Sequence, residues 1–149
     1  MADLLECLIQ IKGVADTPRR LAVRSAAFVA AAGATADAER TVRDVAARLA
    51  DAEAVFRDCL SMMLAAESPM LPPLPAGRAA ARSPLTAEEA RADFASRRAD
   101  TVRVLERCTA GQLNRVGIEP ARGRMIVADL VALMLAHDTD SLGDLTPPR

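Results

Sequence analysis

The sequence predicts an all-α fold, a four-helix bundle with long connections, occupying residues 1–149 as one domain. Three observations carry this expectation. Apolar residues recur at spacings of three and four through four long stretches. Capping residues open these stretches, and glycine or proline closes them. The chain has no Trp or Tyr and only 3 Phe, so its core must come from Ala, Leu, Val and Met, which favours packed helices over sheet. No strand-like alternation is apparent.

Residues 3–11 read as a short helix through Leu4, Leu5, Leu8 and Ile9, and Gly13 is expected to break it. Thr17 then caps a long helix whose first position is Pro18, where a missing N–H costs nothing. Gly33 is expected to end it. The pair Arg19-Arg20 before an alanine-rich stretch has the look of a twin-arginine signal. Arg24 inside the apolar stretch and acid ahead of the pair argue against that, so this stretch is expected to remain as a bundle helix.

The second long helix is expected from Thr41, with Asp44 three residues on, to about Ala66. Val42, Val45, Leu49, Ala52, Phe56, Leu60 and Met63 mark its buried stripe. Arg43, Asp44, Asp51, Glu53, Arg57 and Asp58 are expected on its outer side. Residues 68–84 carry Pro69, Pro72, Pro73, Pro75 and Gly77, a density no helix survives. Thr86 and Glu89 form a capping box for the third helix, which turns Ala90, Phe94, Thr101, Val104, Leu105 and Cys108 inward and ends near Gly111. Residues 112–124 form a turn-rich connection.

The last helix, expected over 125–145, organises the bundle. Ile126, Leu130, Met134, His137 and Ser141 form one stripe, thickened by Val127, Val131, Leu135 and Leu142. His137, the sole histidine of the chain, is its one ionisable inward candidate.

Composition excludes several functions. Lys and Arg number 19 against 20 Asp and Glu, a net charge of -1, which leaves no electrostatic footprint for nucleic acid or an anionic membrane. Asp129 interrupts the longest apolar run, so no segment is expected to span a membrane. Cys7, Cys59 and Cys108 have no Cys-x-x-Cys spacing, which points to reduced thiols in a cytoplasm.

The order of these segments resembles the DinB/YfiT-like family. Residues 41–56, Thr-Val-Arg-Asp-Val-Ala-Ala-Arg-Leu-Ala-Asp-Ala-Glu-Ala-Val-Phe, are similar to its second helix. Arg115-Val-Gly-Ile-Glu-Pro and the run from His137 to Leu145 are similar to its final helix and the approach to it. The resemblance implies a bundle in which three histidines hold a divalent metal such as zinc or nickel. One comes from a His-Leu-x-Asp-x-Glu stretch and two from His-Asp-x-x-His-Leu. Members include metal-dependent thiol transferases, using mycothiol or bacillithiol, and a thiol-dependent maleylpyruvate isomerase.

This sequence departs from that pattern where it matters. Arg48 stands at the first histidine position, His137 is retained, and Ser141 stands at the third. The expectation is therefore a degenerate metal site without a cofactor, in which Arg48, His137 and Ser141 line a pocket for a small anionic molecule. A guanidinium fork suits a carboxylate or phosphate, and Leu49, Leu130 and Met134 would wall the pocket. Against this, Arg48 could simply pair with Asp44 or Asp51, and His137 could be a satisfied core residue. Ser141 and His137 could also form a nucleophile and base, oriented by Asp138 or Asp51. The alternative function is a metal- and thiol-dependent transferase or isomerase. Cys59 reads as a buried, inert thiol, and a homodimer is expected.

Overall fold

The computed structural model describes residues 2–75 and 83–146. Four long helices, α1 (Leu4–Ala32), α2 (Ala36–Ala65), α3 (Ala87–Glu106) and α5 (Val127–Gly143), make the bundle. A single turn, α4 (Ala110–Leu113), and a hairpin of β1 (Val116–Glu119) and β2 (Gly123–Ile126) precede α5. Both α1 and α2 pack chiefly against α3 and α5 and only lightly on each other. The helices thus follow the order α1, α3, α2, α5 around the bundle. The consecutive pair α1 and α2, joined by the short turn at Gly33, lies across a diagonal.

The expected break in the first helix does not occur. α1 runs unbroken from an Asp3 cap through Gly13 and Pro18. Gly13 is a packing residue: an added Cβ would stand 3.1 Å from Leu135 Cδ1, so its bareness lets α1 and α5 approach. Pro18 removes the N–H that would have bonded Val14 O. Arg98 Nη1 on α3 donates to that carbonyl at 2.9 Å, so the helix continues with its acceptor satisfied.

α2 also begins earlier than expected. Thr35, not Thr41, is its cap and accepts from the Ala38 N–H at 3.1 Å. Thr41 lies inside the helix and donates to Asp37 O at 3.0 Å. Helix α3 opens on the expected Thr86–Glu89 capping box.

The hairpin replaces the first two residues of the expected last helix and corrects the expectation of no strands. β1 and β2 pair antiparallel, from Val116 opposite Ile126 to Glu119 opposite Gly123. The period-two alternation is hidden because the strands are only four residues long and each contains a glycine. Gly117 is required there, since an added Cβ would stand 2.7 Å from Leu71 Cδ1. The proline-rich connection joins this edge: Leu71 N–H donates to Ile118 O, and Ile118 N–H donates to Pro69 O, both at 2.8 Å. Residues 76–82 of that connection, with Gly77, lie outside the described residues. Among the described residues no helix is long and apolar enough to cross a membrane.

The core is in two parts. One cluster includes Val14, Phe56, Leu60, Met63, Leu105, Leu130 and Met134. The other includes Leu21, Val45, Leu49, Phe94, Leu142 and Leu145. Between them lies a polar layer with one residue or more from each long helix: Thr17, Glu53, Arg98, Thr101 and Asp138, all buried. Each continues its helix's three-four spacing, as in Val14–Thr17–Leu21 and Met134–Asp138–Leu142.

Candidate functional site

The polar layer is a buried charge network, in which Glu53 Oε1 has no hydrogen-bond partner among the described residues. Arg98 Nη1 and Nη2 donate to Asp138 Oδ2 and Oδ1 at 2.6 and 2.9 Å. Its Nε donates to Glu53 Oε2. Thr17 Oγ1 donates to Asp138 Oδ2 at 2.7 Å, and the Arg98 guanidinium stacks 4.9 Å from the centre of the Phe94 ring. One cation thus faces two carboxylates in the bundle interior. Burial pushes the Glu53 carboxyl above the ordinary carboxylate range, although Arg98 opposes the shift.

Two sequence expectations fail here. Glu53 is not on the outer side of α2 but is 1% exposed. His137 is not the one inward ionisable group of α5. Asp138 takes the central position at 0% exposure, and His137 turns one step aside. Its ring meets Phe56 edge-on, with centroids 5.8 Å apart. Its Nδ1 is buried with no hydrogen-bond partner among the described residues. Burial lowers the imidazole pKa; Asp138 opposes this, and the positive charge of Arg48 adds to it. The ion pair from Arg48 to Asp144, the C-cap of α5, sets Arg48 against the end of the helix that carries His137, at a corner between α2 and α5.

Arg48 does not pair with Asp44 or Asp51. Its Nη1 donates to Asp144 Oδ2 at 2.7 Å, with both side chains mostly buried, at 15% and 20% exposure. Asp44 is instead engaged by Arg43, and Asp51 is exposed. α5 ends at Gly143, two residues short of the expected bound, and Asp144 is its C-cap; the sequence missed its role because no periodicity marks a partner on another helix. Arg48 Nε remains buried without a hydrogen-bond partner among the described residues. Ser141 lies one turn from His137 on α5 and is 1% exposed. Leu49, Leu130 and Met134 are fully buried.

Neither acid expected to orient a serine–histidine pair is available to do so. Asp138 is held by Arg98 and Thr17, and Asp51 faces solvent, so neither orients His137. Nor does this corner suit a three-histidine metal. A guanidinium stays protonated and cannot ligate, and a serine hydroxyl is a poor ligand for zinc or nickel. The two adjacent carboxylates, Asp138 and Asp144, are each bound to an arginine. Among the described residues no group of three or more His, Cys, Asp or Glu is placed to hold a metal ion. Cys59 is buried, and burial pushes its thiol up to about 11, so it offers no thiolate near neutral pH.

Residues 16–144 match the model of the DinB superfamily. The fold is similar to that of YfiT from Bacillus subtilis, described as a probable metal-dependent hydrolase with an unusual four-helix bundle topology. The match has a TM-score of 0.75 at 14% identity and covers 97% of this chain and 86% of that one. At that identity the likeness is one of fold. No curated protein matches the chain.

Proposed function

The chain belongs to the DinB superfamily, and on that premise we propose that it is a non-catalytic, metal-free member that binds a small anionic molecule in the corner of Arg48, His137 and Ser141. The observation that carries the reading is the pair of buried nitrogens there, Arg48 Nε and His137 Nδ1, that lack protein partners among the described residues. Buried polar groups are costly when unpaired, and a bound ligand is one way to satisfy them. The Arg48 fork supplies charge. Asp144 occupies one of its prongs, so an incoming carboxylate or phosphate competes with a resident carboxylate.

The test is thermal shift with a panel of small carboxylates and phosphates, comparing wild type with Arg48→Ala. The reading expects at least one anion to stabilise the wild type more than the variant. It fails if none does.

A second reading, a metal- and thiol-dependent transferase or isomerase, draws support from the description of YfiT as a probable metal-dependent hydrolase. It requires a metal held by His137 with carboxylates that here are committed to Arg48 and Arg98. The first reading also places the protein in the cytoplasm, supported by three free thiols. It makes the protein a homodimer, supported by Leu4, Leu5, Leu8 and Ile9, all exposed on the first turns of α1.

A further inference from the structure

A cavity of about 380 Å³ opens between the C-terminal half of α1 and the first turns of α2 and α3. It belongs to neither the polar layer nor the Arg48 corner. Ala22, Ala26 and Val29 of α1 and Val42 of α2 give it apolar walls. Two donors line it. Ser25 is 5% exposed, and its Oγ is buried with no hydrogen-bond partner among the described residues. Arg91 Nε is likewise buried and unpartnered.

A serine on a helix can return its proton to a carbonyl four residues back, and a surface arginine usually finds a carboxylate. Among the described residues neither Ser25 Oγ nor Arg91 Nε has such a partner, and both residues line one cavity of small-molecule size. The helix ends add to the charge, since α2 and α3 both begin at this cavity with their positive ends. One acid lines the cavity as well. Glu39 Oε1 accepts from the Ala87 N–H at 3.0 Å, so it is engaged, but its negative charge disfavours a ligand with two charges.

We infer that this cavity binds an amphipathic monoanion. Its carboxylate sits on Arg91 and the Ser25 hydroxyl, and a short hydrocarbon tail lies along Ala22, Ala26, Val29 and Val42. The fork of Arg91 gives a planar match to the carboxylate, and the tail removes apolar wall from water.

The experiment is amide NMR titration of the full chain with hexanoate, with acetate and hexanol as probes of head and tail alone. Hexanoate is expected to bind saturably and to shift amides at Ser25, Val29 and Ala87, with acetate and hexanol both weaker. Arg91→Gln, which removes a charge-assisted pair, is expected to weaken hexanoate by about ten-fold or more. Ala26→Leu, on an exposed position of the wall, fills the groove and is expected to abolish binding while the helical circular dichroism stays unchanged. Three results overturn the inference: no saturable hexanoate binding, hexanol binding as tightly as hexanoate, or affinity unmoved by both variants. Loss of hexanoate binding in Arg48→Ala but not in Arg91→Gln also overturns it, assigning the ligand to the other corner.

Discussion

Arg98 on α3 donates at 2.9 Å to the carbonyl of Val14 on α1, the acceptor that Pro18 leaves without its helical donor. The helix stays continuous past its proline while a side chain from its neighbour takes the freed carbonyl, and that side chain also binds Glu53 and Asp138. The first helix and the buried charge layer are therefore parts of one arrangement.

Arg98→Leu tests that arrangement. The change takes the cation from two buried carboxylates and the donor from the Val14 carbonyl, leaving Asp138 with the Thr17 hydroxyl alone. Breaking a buried pair from one side costs about 3–5 kcal/mol, a large share of the roughly 5–15 kcal/mol that holds a domain together. Urea unfolding is expected to show a loss of that size. A loss below about 1 kcal/mol contradicts a structural role for the layer.

Glu53→Gln tests its surplus of negative charge. The Glu53 carboxyl is raised above its ordinary value near 4.5, mainly by burial. The folded state therefore holds the proton more tightly than the unfolded chain, so ionisation of Glu53 costs stability as pH rises through its folded value. Glutamine keeps an acceptor for Arg98 and removes that cost. The stability of the variant relative to wild type is expected to improve as pH rises above 4.5. His137 is lowered by burial, and its own contribution is lost as pH falls below its ordinary 6.5. This term is common to both proteins and cancels in the difference. Thermal melts across pH check this, and a pH-independent difference contradicts it.

Asp144→Asn tests whether Asp144 competes with a ligand for Arg48. Removing the carboxylate from Arg48 Nη1 frees a charged donor. Calorimetric titration with phosphate and succinate is expected to show affinity rising by about ten-fold over wild type, the scale of one charge-assisted bond. Unchanged affinity shows that Asp144 does not stand in the ligand's place.

The paired change Leu5→Lys with Ile9→Lys tests assembly. These side chains are 69% and 61% exposed, so the change costs little in the fold itself. Light scattering is expected to give a dimeric mass for wild type and a monomeric mass for the variant. A monomeric wild type, or a variant that stays dimeric, removes this face from the account.

Much of the fold was legible because the three-four spacing of Val45, Leu49, Phe56 and Leu60 reports burial directly. The same spacing carried Glu53, Arg98 and Asp138, but reading charge as solvent-facing hid them. A buried charge is permitted only by partners on other helices, and those pairings are not local. Pro18 misled for the same reason: its break is repaired from α3. At the candidate site, the positions of Arg48, His137 and Ser141 came from family order. The partner of Arg48 did not, since 96 residues separate it from Asp144.

We propose that an arginine-centred site stands in this superfamily member where the family pattern has a metal. Elemental analysis of the protein, purified without a histidine tag and without chelator, tests it most directly. Zinc and nickel are expected far below one equivalent per chain, unchanged in Arg48→Ala. One tightly held metal ion per chain, lost in His137→Ala, would contradict it.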